Sequence, residues 1–548
     1  MKTLHLSIIA ALSIMLLVNT GIAYAQEGGS IMVRGPSSYI SQVSSSGNNV
    51  YIVWSNYDPK ENVYHTLFRA SNDGGKSFGN VISMGNSFNG PTFSQMASHE
   101  NNLYIALGNI LKKSSDYGNT FEDKIPVSTP TGGISNIIAT ENNVYLTFDN
   151  VINSGNSFEI LFAASHDNGT TFGNPLKLFD MPESSEDYSQ ITASGTNVYV
   201  VGEGKYGGVQ GPVGVLYRAS RDGGTTFSNT VDLSDNNSTD FAPKVATSGN
   251  YVYVAWSEVT SDKKNSDLIF RVSKDDGETF GPKIKINQDN SSTGTYDTDF
   301  IQLATYDSTV YVKWWNVHFM PNGSETDHLM FKRIIDGDTT IGKTIELTGN
   351  DANPADIGQD SIVSVAGNNV YVSWLEYPSQ LMPGQHTFFR KSSDGGFSFD
   401  GTVDLNKQIN ETFGLSNMKI TGYGSNVYVA GDTGSQTREL FFRSSNDNGT
   451  TFSDVVDLNE IPTIPQQIAP PAPDQVGCYN YTQATGWQST PCMSQSDVDK
   501  LGLSGPPRDL PLSHDVDNNS WLGLVGFGSI IGGATVGISV YVMRIKVK

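Results

Sequence analysis

The chain has 548 residues, a formal net charge of −22 and a hydrophobic fraction of 37%. A chain of this length can bury a large core. Its acidity, with no cluster of lysine and arginine ahead of the last few residues, argues against nucleic-acid binding, which needs a basic surface.

The N-terminal segment predicts export. Lys2 precedes an apolar run from Leu6 to Leu17, and Ala23-Tyr24-Ala25 supplies the small residues of a cleavage site before Gln26. This order is that of a secretory signal peptide, which is removed and takes no part in the fold. We therefore assign residues 1–25 to the signal and 26–460 to an extracellular domain.

A short turn of the pattern Ser-x-Asp-x-Gly-x-Thr-Phe, hereafter the repeat turn, recurs through this domain. A degraded eighth copy, Ile334 to Ile341, falls in phase with the others. Successive copies are spaced by roughly 43 to 61 residues, a period that indicates a propeller or solenoid. Aspartate and glycine suit such a tight turn. The seven intact copies are centred on Asp73, Asp116, Asp167, Asp222, Asp275, Asp394 and Asp447.

Each repeat turn is accompanied by strand-like segments. A segment such as Leu268 to Arg271 precedes the turn, and a more apolar Val-Tyr segment such as Val252 to Trp256 lies further upstream. A hairpin partner before them and a short segment after the turn complete four strands per unit. The sequence therefore predicts an all-β propeller with eight blades, seven being the alternative, and Ile31 to Arg34 as a strand that closes the ring.

The repeat turns resemble the Asp-box, or bacterial neuraminidase repeat, of sialidase-like β-propellers, over about residues 30 to 460. The resemblance implies that the box caps an outer hairpin away from the ligand, so its aspartates are structural. It also implies that loops entering the first strand of a blade and loops leaving the second strand build the ligand face.

Polar and aromatic residues on those predicted loops are candidates for binding. Asp187, Asp240 and Asp299 carry carboxylates that could hold Ca²⁺, or they are solvated turn formers; no cofactor is required. Trp315, His318 and Phe319 offer surfaces for stacking on sugars. One position of the first strand is polar in seven of the eight blades. We expect the side chains at this position to line the central channel, to form hydrogen bonds between blades or to contact a ligand. The residues at this position are Gln42, Gln95, Asn136, Gln190, Lys244, Gln302, Ile362 and Lys419.

Glycosidase chemistry has fewer candidates. The resemblance implies three arginines on the sugar carboxylate, a Tyr–Glu nucleophile pair and an aspartate acid. Only Arg34 partly matches the first arginine motif, whereas most arginines stand two residues before a repeat turn, where we interpret them as scaffold. Glu258, or Glu376 beside Tyr377, could supply a carboxylate for a sialidase-like reaction.

The C-terminal region predicts a stalk and an anchor. Residues 461–519 are rich in proline and carry the only two cysteines, Cys478 and Cys492, which we expect to form a disulfide. Residues 520–543 form an apolar run long enough for a transmembrane helix, and the basic tail 544–548 is then cytoplasmic. Glycines in the run allow helix pairing in a homodimer.

The sequence thus favours a cell-membrane protein with one span and an extracellular propeller that binds a glycan or a surface protein. Two alternatives remain open at this stage. One is an exo-sialidase-like glycoside hydrolase, and the other is a structural component of the cell envelope.

Overall fold

The computed structural model describes most of residues 37–458, with gaps that fall mainly in connections between strands, and residues 478–482, 486–490 and 539–540. Eight antiparallel sheets follow one another along residues 37–458. Within each sheet the strands pair in chain order, from the innermost to the outermost. The prediction of an eight-bladed propeller is confirmed.

Seven of these blades contain four strands, and the second contains three. Where the fourth strand of blade 2 is expected, a single bridge joins Leu111 to Ile125.

The strands of blades 1 to 4 are β1 Ser37–Ser46, β2 Asn49–Asp58, β3 Val63–Ser71, β4 Ile82–Ser87; β5 Ser94–His99, β6 Asn102–Leu107, β7 Ile110–Ser114; β8 Ile134–Thr140, β9 Asn143–Ile152, β10 Ser157–Ser165, β11 Leu176–Met181; β12 Ser189–Ser194, β13 Asn197–Lys205, β14 Val213–Ser220 and β15 Val231–Asp232. Those of blades 5 to 8 are β16 Asp240–Ser248, β17 Tyr251–Val259, β18 Ser266–Ser273, β19 Ile284–Lys285; β20 Thr295–Tyr306, β21 Thr309–Phe319, β22 Glu325–Ile335, β23 Ile345–Glu346; β24 Ile357–Ala366, β25 Asn369–Glu376, β26 His386–Ser392, β27 Val403–Asp404; β28 Leu415–Tyr423, β29 Asn426–Thr433, β30 Leu440–Ser445 and β31 Val456–Asp457.

The second strand of each blade supplies most of the core. In β17, Val252, Val254 and Trp256 face one neighbouring sheet while Tyr253 and Ala255 face the other, and all five are fully buried. Both faces of this strand lie between blades, which explains why its sequence is a continuous apolar run and does not alternate. Stacking the blades around a ring therefore buries what one blade alone would leave in water.

The repeat turn is the point at which each blade docks on the one before it. In blade 4, Gly224 has φ +83°, and a Cβ placed there would lie 2.4 Å from Cε1 of Phe162 in blade 3. Phe227, which closes the same turn, packs edge-on against Phe162 with ring centroids 4.9 Å apart. The turn glycine of every intact copy meets an aromatic ring of the preceding blade in this way.

Arginines of the third strands also join neighbouring blades. Arg443 of blade 8 donates from Nε to the carbonyl of Ser453 in its own blade, at 2.9 Å, and from Nη1 to the carbonyl of Leu405 in blade 7, at 3.1 Å. Arg69, Arg218, Arg271 and Arg390 make the same pair of contacts. These arginines are scaffold, as the sequence predicted.

The same contacts close the ring. Phe442 of blade 8 lies against Gly75 and Phe78 of blade 1, and Nη1 of Arg69 donates to the carbonyl of Leu458 at 3.2 Å. Blade 8 takes all its strands from consecutive sequence. The strand expected at 31–34 lies outside the described residues.

The C-terminal predictions fall largely outside the described part of the chain. Beyond the propeller a small sheet pairs β32 Cys478–Thr482 with β33 Gly486–Thr490 and β34 Ser539–Val540. Cys492 and most of residues 520–543 are not described, so the disulfide and the anchor stay predictions. Within the described residues, no helix is long and apolar enough to cross a bilayer.

Candidate functional site

The propeller has two faces, and the repeat turns mark one of them. Antiparallel strands place the turn between strands 1 and 2 on the same side as the turn between strands 3 and 4. The backbone N–H of Gly74 in a repeat turn donates to the carbonyl of Asn48 in the hairpin between β1 and β2, at 2.8 Å. We call this side the turn face, and the opposite side, where strand 2 ends and strand 3 begins, the loop face.

On the turn face the aspartates are occupied by their own turns. Asp222 accepts hydrogen bonds from the hydroxyl and the backbone N–H of Thr226, at 2.6 and 2.8 Å, and from the hydroxyl of Ser220 at 2.7 Å. These bonds, led by the one from the Thr226 hydroxyl, hold the pKa of Asp222 at about 2. A carboxylate that is ionised and held by its own turn in this way is suited to a structural role.

The first strands carry a shared irregularity at the polar positions predicted to line the channel. A β-bulge lies immediately ahead of that position in six blades. Bulges bend a strand and change the direction of the side chains beside them. The positions that follow the bulges are Gln42, Asn136, Lys244, Gln302, Ile362 and Lys419.

Four of these positions, Gln42, Gln302, Ile362 and Lys419, line a cavity between the innermost strands of the ring. Its volume is about 380 Å³, and its walls include Gln42, Gln302, Ser361 and Lys419, which come from blades 1, 6, 7 and 8. The cavity therefore belongs to the channel and not to the surface of any one blade. Its polar lining consists of amide, hydroxyl and ammonium groups, which can donate and accept hydrogen bonds.

Some of the same side chains also bond between blades. Nε2 of Gln42 donates to the carbonyl of Met96 at 3.4 Å, and Oε1 of Gln302 accepts from the backbone N–H of Val363 at 3.1 Å. Oε1 of Gln42 is buried and finds no hydrogen-bond partner within the described residues. Both expected roles, channel lining and inter-blade bonding, are thus present, and one acceptor in the cavity wall is unpaired.

The two candidate glutamates lie at the loop-face ends of second strands. Glu258 accepts from the indole N–H of Trp256 at 3.3 Å and from Nζ of Lys283 at 2.9 Å. Glu376 accepts from the indole N–H of Trp374 at 2.5 Å, and burial raises its pKa. They belong to blades 5 and 7, with blade 6 between them, and Tyr377 lies outside the described residues.

The predicted binding residues that the structure describes all lie in strands. Trp315, His318 and Phe319 all lie within β21, although the sequence suggested a loop. Trp315 is only 3% exposed, and its indole N–H donates to the hydroxyl of Ser361 at 2.8 Å. Such burial leaves little of its ring available for stacking on a sugar.

Strand pairing places two acidic candidates for ligand binding beside other candidate residues. Asp240 is paired directly with Glu258 across β16 and β17, and Asp299 is paired with Trp315 across β20 and β21. Asp187 and Arg34 lie outside the described residues. Most of the acidic loops expected to hold Ca²⁺ also lie there.

Arginines do not converge on the loop face in the part of the chain that the structure describes. Five of them connect blades as described above. Arg221 pairs with Glu278 of the next repeat turn at 3.3 Å, and Arg333 lies 3.4 Å from the ring centroid of Phe397. The three-arginine clamp implied by the resemblance is therefore not seen among these residues.

No protein-family model and no curated protein sequence matches the chain. Among solved structures it resembles a PL25 ulvan lyase, with 12% identity and a TM-score of 0.39, over 74% of this chain and 94% of that one. It also resembles the propeller domain of the Trilobed protease from Pyrococcus furiosus, with 11% identity, a TM-score of 0.38 and coverage of 78% and 97%. A GH93 α-L-arabinofuranosidase of Fusarium graminearum matches at 16% identity and a TM-score of 0.33, over 52% and 97%. Similarity at this level carries no conclusion about activity.

Sequence reasoning missed two features of the site. The bulges leave no obvious signal, because no glycine or proline recurs ahead of the polar position. A signal for the docking of the repeat turns is the aromatic residue that stands three positions before the turn serine in six of the seven intact copies.

Proposed function

We propose that this chain is a non-catalytic recognition module that binds a glycan at the loop face, with the central cavity as the polar floor of the site. The observation that carries the proposal is the cavity whose wall includes Gln42, Gln302 and Lys419. These three residues hold the register position that follows a bulge in six first strands. Such a repeated distortion is typical of functional sites.

The chemistry of the cavity suits hydroxyl-rich ligands. Amide groups offer a donor and an acceptor side by side, which matches a pair of sugar hydroxyls. The unpaired Oε1 of Gln42 can accept from one such hydroxyl, so that a ligand would satisfy an atom that otherwise pays a desolvation cost. Acidic residues at the loop-face ends of the strands add further acceptors around this floor.

We propose further that the domain is exported and held at the cell membrane by the apolar run 520–543. The hydrogen bonds that the aspartate accepts within each of the seven intact repeat turns support assignment of the domain to the Asp-box group of propellers. Charge also supports display outside the cell, because a net charge of −22 keeps a surface domain soluble.

A sialidase-like hydrolase is the second candidate, and one observation favours it. Glu376 has a raised pKa, as a general acid requires. However, its partner carboxylate would have to come from within about 10 Å. Glu258 stands two blades away and is already paired with Lys283.

Glycan binding by the purified full chain tests the leading proposal. We expect an array to identify at least one bound oligosaccharide, and Gln42→Leu to weaken its binding about tenfold, the equivalent of one hydrogen bond at ~1.4 kcal/mol. Gln190→Leu is the matched control, because Gln190 holds the same register position outside the cavity wall. Absence of binding, or equal effects of both variants, would contradict the proposal.

Turnover of fluorogenic glycosides separates the two candidates. We expect none above the rate of a buffer blank. Hydrolysis that is lost in Glu376→Gln would instead establish the enzyme.

A further inference from the structure

A group of metal-binding side chains lies on the loop face of blade 1, away from the cavity. Asp58, Glu61 and His65 surround the connection between β2 and β3, and each offers a ligand atom within 4.8 Å of the other two. Nε2 of His65 is 4.0 Å from Oε2 of Glu61. Among the described residues this is the one group of three or more such side chains that meets this distance.

His65 is oriented as a metal ligand normally is. Its Nδ1 lies 2.9 Å from Oδ1 of Asn86 on β4. Since an amide oxygen only accepts, Nδ1 carries the proton and Nε2 presents its lone pair on the side of Glu61. A histidine that ligates a metal almost always donates its other N–H to an oxygen in this way, which fixes the tautomer.

The equivalent histidines of two other blades provide an internal comparison. His328 and His386 stand at the same position as His65. Each of the three histidines lies four residues before a basic residue of the third strand, Arg69, Lys332 or Arg390. Their Nδ1 atoms meet carboxylates, Glu346 at 2.7 Å and Asp404 at 3.0 Å. In blade 1 a neutral amide takes this place, and the carboxylate of Glu61 lies near Nε2 instead.

We propose that Asp58, Glu61 and His65 form a binding site for a divalent transition-metal ion of the Zn²⁺ class. One imidazole nitrogen with two carboxylate oxygens suits zinc, whereas calcium and magnesium prefer oxygen ligands alone. Tetrahedral zinc bonds of ~2.0 Å need ligand atoms roughly 3.3 Å apart, and the exposed side chain of Glu61 can move to close the present 4.0 Å.

The site would keep open coordination positions. Three protein ligands leave at least one place for water or for an oxygen of another molecule. Glu61 is exposed, so that this place faces solvent on the loop face. β4 spans six residues, against two for the fourth strand of most blades, and it therefore holds Asn86 in place behind the histidine.

Metal binding to the full chain tests this inference independently of glycan binding. With Co²⁺ as the probe, we expect one ion per chain, a visible absorption band, and displacement by Zn²⁺. His65→Ala should abolish the band, and Asn86→Ala should weaken binding about 10- to 100-fold. Glu61→Gln, an isosteric change at an exposed side chain, should weaken binding without affecting the fold.

The matched control is His328→Ala, which removes the equivalent histidine of blade 6 and leaves the trio intact. It should bind Co²⁺ as the unmodified chain does. Co²⁺ binding that survives both His65→Ala and Glu61→Gln would overturn the inference. So would binding that falls equally in His328→Ala, or the absence of a site that binds one ion per chain.

Discussion

At the residue scale, the repeat turn is built around an ionised carboxylate. The hydroxyl of Thr226 and its backbone N–H are the main donors to Asp222, and they hold its pKa at about 2, below the value of ~3.9 for a free aspartate. The same pattern lowers the pKa of the other six turn aspartates. Because the pKa is depressed in the folded state, the stabilisation is present above pH ~4 and is lost as the pH falls toward 2.

We therefore predict that the midpoint of thermal unfolding falls steeply between pH 4 and pH 2. Asp222→Asn should destabilise the chain at pH 7 by about 1 kcal/mol, because the amide replaces an ionised acceptor. The same variant should lose less stability than the unmodified chain on acidification. Asp307→Asn removes a carboxylate outside the repeat turns, in the hairpin between β20 and β21, and serves as the control. A similar response from it would contradict the role given to the repeat turn.

At the scale of the element, the turn matters because of the blade on which it docks. Two features of the structure require glycine at position 224. Its φ is +83°, and Phe162 occupies the space that a Cβ would fill. Gly249 separates these requirements, since it has φ +57° and nothing within 4 Å of a Cβ. A substitution at Gly249 therefore reports the backbone cost alone.

We predict that Gly249→Ala costs about 1–2 kcal/mol, the penalty for a side chain in the left-handed region. Gly224→Ala should cost a further 1–3 kcal/mol or more, because the packed ring of Phe162 must shift. Urea unfolding of both variants measures the difference. Equal costs would mean that the turn does not dock on the preceding blade.

Much of this element-level structure could be predicted from sequence, and the limits have physical causes. The Val-Tyr strands and repeat turns depend on local chemistry, so their order predicts the blades correctly. Trp315 was assigned to a loop because the apolar pattern ends at Trp314, yet backbone pairing continues to Phe319. The sequence does not predict the Asp58, Glu61 and His65 group, because the group depends on the spatial pairing of two strands.

At the scale of the whole molecule, the interface that closes the ring uses the same contacts as an interior interface. Blade 8 meets blade 1 through Phe442, Gly75 and Phe78, as blade 7 meets blade 8 through Phe389, Gly449 and Phe452. Phe442 and Phe389 are both fully buried. Closure thus depends on the same side-chain contacts that hold the interior blades together.

We predict that Phe442→Ala and Phe389→Ala destabilise the chain by similar amounts, about 3–5 kcal/mol each, as expected for a buried phenylalanine. The measurement is the free energy of unfolding in urea, followed by tryptophan fluorescence and by circular dichroism. A closed ring makes Phe442 an interior residue, because blade 1 covers it. An open ring would leave blade 8 at an end of the array, where its outer side would be in water. Phe442→Ala would then cost much less than Phe389→Ala, and such a result would rule out closure by these contacts.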